Sequence, residues 1–155
     1  MLYPIIVATH NAMRWLVVGS LIATLVSGYS GWLRPRSYRP ADQTLRVVTT
    51  SLLHVQLLIG IYLYTLSPII RYYWKFHPSF GDAIEFPFFS LIHSSLMFVA
   101  VVIMTIGSST AKRLKDDQQK FKTTAIYFTI GFVLLILAVP WPFSPLVNRP
   151  WFRLF

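Results

Sequence analysis

Four long apolar runs, separated by short polar stretches, set the pattern of this chain. Each run is continuous rather than alternating. Each comes close to or exceeds the roughly 20 residues that an α-helix, rising about 1.5 Å per residue, needs to cross the hydrocarbon core of a bilayer. The first covers 4–29 and is interrupted only by Arg14. The second, 47–66, carries no formal charge and stops at Ser67-Pro68. The third opens near Pro87, a residue suited to a first helical turn, and continues to 108. The fourth spans 124–139 and ends at Pro140-Trp141-Pro142. Runs of this continuity exclude a β-barrel, whose strands are short and alternate. The pattern predicts an all-α, integral membrane four-helix bundle that forms one domain over 1–155.

The polar stretches predict how that bundle sits. Arg34, Arg36, Arg39 and Arg46 fall between the first two runs, and Lys112, Arg113, Lys115, Lys120 and Lys122 between the last two. Lysine and arginine concentrate in cytoplasmic loops, so both basic loops are expected in the cytoplasm and both termini outside. The segments Arg71-Tyr72-Tyr73-Trp74-Lys75-Phe76 and Arg149-Pro150-Trp151-Phe152-Arg153 mix aromatic and basic residues, which suits headgroup depth. Lys115-Asp116-Asp117-Gln118-Gln119-Lys120 is the one strongly polar stretch and fits a solvated turn at the anionic inner leaflet. Residues 1–6 lack a basic start, and no small-residue cleavage site follows, so the first run is expected to be retained as a span.

Composition changes the picture in two ways. The chain is 55% hydrophobic and only 12% charged, far from the quarter or so of charged residues in soluble domains. Its formal charge of +9 therefore describes topology rather than nucleic-acid binding. The absence of cysteine excludes a disulfide, a thiolate-held iron–sulfur cluster, covalent c-type haem attachment and a cysteine zinc site. Catalysis has little support, since no Ser/His/Asp pattern, phosphate-cradling glycine loop or intramembrane carboxylate is present. Four spans without a repeat also lack the inverted halves usual in transporters.

Three histidines, His10, His54 and His93, lie in three different spans. Intramembrane ionisable groups are costly and mark functional sites. Because the spans alternate in direction, position converts into depth. Measured from the basic end, His10 stands roughly 30 Å up, His93 about 27 Å and His54 about 12 Å. A haem between helices needs two axial nitrogens at matching height on facing helices, and His10 and His93 meet that condition. In a sequential antiparallel bundle their spans are also diagonal partners. Arg14, one turn after His10 on the same face, needs an anionic partner; haem propionates, Glu85 or Asp82 would supply one. Phe89 and Met97 flank His93 at one-turn spacing, as either macrocycle contacts or ordinary packing. His54 sits at another depth. It could ligate a lower haem, pair with His93 across a mismatch of about 15 Å, hold a quinone oxygen, relay a proton, or bond a neighbouring helix. His77, before Pro78, reads as a surface residue.

The stretches His10-Asn11-Ala12-Met13-Arg14-Trp15, Gly31-Trp32-Leu33, Leu53-His54-Val55-Gln56-Leu57-Leu58 and Val139-Pro140-Trp141-Pro142-Phe143 resemble a family of small bacterial four-helix membrane proteins catalogued as cytochrome b-like. The resemblance covers essentially the whole chain. It implies haem b, electron transfer and the bacterial inner (cytoplasmic) membrane, and it carries over His10, Arg14, His54 and His93 as functional residues. One departure stands out: larger membrane b cytochromes pair histidines for two haems, whereas three support one bis-His haem with one left over.

The expectation is thus a bis-His haem b near the outer face, with His10 and His93 as metal ligands and His54 as the alternative ligand. The chain would be an electron carrier or subunit rather than a stand-alone enzyme, taking electrons from quinol and passing them to an outer-face redox protein. Two other readings compete. One is a non-redox accessory or scaffold subunit, in a homo-oligomer or a larger membrane complex. The other is a quinone- or copper-binding membrane protein, or one holding zinc, although no Met-rich or His-rich uptake tract is present.

Overall fold

The computed structural model describes residues 2–151. Five helices account for its regular structure: α1 (Leu2–Leu33), α2 (Pro40–Leu66), α3 (Pro68–Phe76), α4 (Glu85–Arg113) and α5 (Asp117–Ala138). No strand occurs among the described residues. α1, α2, α4 and α5 are long and apolar enough to cross a membrane, so the chain is a multi-pass protein embedded in lipid.

Each long helix reaches beyond its apolar run at the end carrying the basic loops. α2 starts at Pro40 rather than near 47, because Pro40 fits the first turn and the Asp42 carboxylate accepts from the backbone N–H of Arg39 at 3.0 Å. α5 starts at Asp117 rather than near 124, because the Asp116 side chain caps it by accepting from Gln119 N at 2.7 Å. Arg46 is consequently not a loop residue, as the hydropathy pattern suggests, but a buried helical one. At the other end Pro68 breaks the chain direction. Ser67 is forced extended, α2 stops, and Pro68 opens α3. The aromatic and basic segment 71–76, expected only to lie at headgroup depth, is therefore most of a short helix.

α1 packs against α2 and α5, and α4 packs against α5 and α2, which leaves α1 and α4 as diagonal partners. Both basic loops meet at one end, where Tyr38 N donates to Asp117 Oδ2 at 2.9 Å and Gln118 Nε2 donates to the Trp32 carbonyl. That end is closely packed. Gly28 lets α1 approach Ala125, Gly31 accepts the Phe121 ring, and Gly107 accepts Tyr127. Small residues bring transmembrane backbones together in this way. Thr24 and Thr49 are bonded at 2.8 Å, and Arg46 donates to the Ser108 carbonyl and hydroxyl. Farther from the loops, Met104 lies over Gly131, and beyond it the four helices part.

Candidate functional site

The parting helices enclose a cavity of about 370 Å³, within the range of ligand sites. Val17, Leu53, Ala100 and Met104 close its inner end, while Tyr3, Ile70 and Arg149 stand at its outer rim. His10, Arg14, Gln56 and His93 are among its polar lining residues, with Asn11 and Ser94 beside them in sequence. His10 and His93 both line this one cavity, from diagonal helices.

His93 ends a π-helical turn, Phe88–His93, within α4. Such turns insert one extra residue, and they recur at functional sites. Here the turn is braced from α2, since Tyr64 Oη donates to Ser90 O at 3.2 Å. The His93 ring is fixed from α5 by a bond of 2.8 Å between its Nδ1 and the Ala138 carbonyl. That carbonyl is available because α5 ends there, at Val139-Pro140, and last-turn carbonyls lack intrahelical partners. A carbonyl only accepts, so Nδ1 carries the proton, and in the neutral ring the lone pair lies on Nε2. This is the arrangement by which metal-ligating histidines are usually oriented.

His10 is held differently. Gln56 Nε2 donates to its backbone carbonyl at 2.9 Å, and its ring lies along α2 at Gly60, where an added Cβ would stand 3.4 Å from Cε1. Its Nδ1 is buried without a hydrogen-bond partner among the described residues. Phe89 and Met97 line the same cavity, and the Phe89 ring meets His93 edge-on at 5.9 Å.

Arg14 does not pair with Glu85 or Asp82, the protein carboxylates considered for it. Glu85 is engaged by Arg149, and Asp82 accepts from Ser79. The chain after α5 instead folds back over α1. Arg14 lies over the Trp15 and Trp141 rings at 5.3 and 5.5 Å and donates to Trp151 O at 2.9 Å, while its buried Nε has no hydrogen-bond partner among the described residues. Phe152 and Arg153 of the aromatic, basic tail lie outside the described residues.

His54 is not brought to the cavity. It is exposed on the bundle surface and shares a hydrogen bond of 2.9 Å with Thr105. Two residues turn a helix by about 200°, so with Gln56 facing inward His54 faces out. His77, the exposed residue ending α3, packs on Tyr73 and Trp74 away from the cavity.

Sequence reasoning missed the inward role of Gln56, the clearance at Gly60, the π-turn and the cavity position of Arg149. The first two had a signal, a glutamine and a glycine one turn apart within an apolar run. Among the described residues, no group of three or more His, Asp or Glu side chains gathers to hold a bare metal ion. No known protein family, curated protein or solved structure matches the chain.

Proposed function

We propose that this chain is a haem b-binding electron-transfer protein, or a subunit with that role, in the bacterial inner membrane. His10 and His93 would be the axial ligands. The observation that carries the proposal is the His93 ring, whose Nδ1 is tied to Ala138 O so that Nε2 is left with a lone pair in a cavity shared with His10. The motif resemblance to small cytochrome b-like membrane proteins points the same way.

When bound, haem b supplies a reversible one-electron couple at its iron. The residues of the chain set the conditions for it. Held by His10 and His93 together, the iron would favour electron transfer over oxygen chemistry. The Arg14 guanidinium, whose Nε is buried, would offer positive charge to anionic propionates. Leu53, Phe89, Met97 and Met104 keep much of the wall apolar. With the basic loops in the cytoplasm, the cavity lies toward the outer face, in reach of a membrane quinol as donor and an outer-face redox protein as acceptor.

Absorption spectra of the purified protein, expressed with haem supplied, test the proposal. Wild type should show a Soret band and a sharp reduced α band. His10→Gln and His93→Gln should each lose the low-spin spectrum, and His54→Gln should keep it. A wild-type protein with no Soret band overturns the assignment.

A further inference from the structure

We infer that Gln56 is the positioning residue for His10: through one bridging water its Oε1 accepts the Nδ1 proton of His10, which leaves Nε2 with the lone pair. The use of that lone pair as an iron ligand rests on the haem proposal. The tautomer itself does not.

The orientation of the Gln56 amide is fixed by chemistry. The His10 carbonyl can only accept, so the atom 2.9 Å from it must be the donor Nε2, and Oε1 is directed elsewhere. That Oε1 is buried and has no partner among the described residues, and the same holds for His10 Nδ1. Both residues line one cavity. Leaving a buried acceptor and a buried ring nitrogen dry on adjoining helices is unfavourable. The ring is also turned the right way. Gly60, one turn beyond Gln56 on the same face of α2, has no side chain, and a Cβ there would lie 3.4 Å from Cε1 and 3.9 Å from Nδ1 of His10. The edge of the imidazole bearing Nδ1 therefore faces the strip of α2 that carries Gln56. A single water accepting from Nδ1 and donating to Oε1 satisfies both atoms, and polar sites offering two or more partners hold such waters.

The two histidines thus reach the same tautomer by different means. His93 relies on a main-chain carbonyl that no side-chain substitution removes. His10 relies on a side chain, so its tautomer is open to mutation.

Ring ¹⁵N chemical shifts of histidine-labelled, haem-free protein in lipid nanodiscs provide the test. In wild type, His10 and His93 should both be Nδ1–H tautomers. Gln56→Leu should lower the Nδ1–H to Nε2–H ratio of His10 by about 3- to 10-fold, the worth of one ordinary hydrogen bond, and leave His93 unchanged as the internal control for folding. Should that variant not fold, Gln56→Met removes the acceptor while keeping the length. An unchanged His10 ratio in a folded variant overturns the inference. In haem-loaded protein, Gln56→Leu should raise the midpoint potential and Gln56→Glu lower it, because a stronger acceptor makes the imidazole a better electron donor. Equal potentials in all three also overturn it. A wild type that takes up no haem ends the haem proposal and leaves the tautomer measurement to judge Gln56.

Discussion

Arg14 and Arg46 are both cations held within long helices, and among the described residues neither is bonded to a carboxylate. Arg14 uses two indole faces and a main-chain carbonyl. Arg46, only 3% exposed, uses the carbonyl and hydroxyl of Ser108 and the phenol of Tyr38. Ser108→Ala removes one bond to a buried charge and should cost about 1.5–3 kcal/mol, measured by unfolding in detergent micelles. His54 presents the opposite case. Its single interhelical bond to Thr105 is exposed, and such bonds in membranes average about 0.6 kcal/mol. His54→Leu should therefore change stability by less than about 1 kcal/mol in the same assay. The sequence could not separate these roles. A basic residue beside an apolar run reads as a topology signal, and nothing in hydropathy distinguishes an arginine facing water from one anchoring two helices.

At the scale of the helices, glycine decides how closely they approach. Gly107 lies against the Cβ of Tyr127, an atom fixed to its own backbone. Gly107→Ala should force α4 and α5 apart at a cost of about 1–3 kcal/mol. Gly19 has nothing within 4 Å of an added Cβ, so Gly19→Ala should stabilise α1 by up to about 1 kcal/mol through helix propensity alone. Paired thermal melts of the two variants, moving in opposite directions, check both. The number of spans and their continuity were legible, because length and hydropathy alone determine them. Helix rotation was not. Helices apolar on every side carry no periodicity that marks an inward face. The π-turn was equally hidden, for Phe88–His93 is an ordinary apolar stretch whose extra residue is stabilised by Tyr64 from another helix. The fold-back of the tail onto Arg14 depends on contacts 137 residues apart in sequence, which no local pattern encodes.

For the whole molecule, the joining of both basic loops at one end turns orientation into a single binary question. The chain has no cysteine, so one introduced thiol gives an unambiguous answer. Gly81→Cys, in the loop beside the cavity end, should react with a membrane-impermeant maleimide in intact cells. Lys115→Cys should react only after the membrane is permeabilised. The reverse pattern would place the basic loops outside, against the rule that positions them in the cytoplasm.

The tail that covers Arg14 also gathers three of the five tryptophans, with Trp15, Trp141 and Trp151 at centroid separations of 5.7–6.0 Å. Indole fluorescence is quenched when an absorbing molecule comes within a few nanometres, and Arg14, in contact with this cluster, lines the cavity wall. The protein thereby carries its own optical gauge for the proposed haem: dimming of its ultraviolet emission during a titration would report uptake, and unchanged emission would count against it, with no label attached.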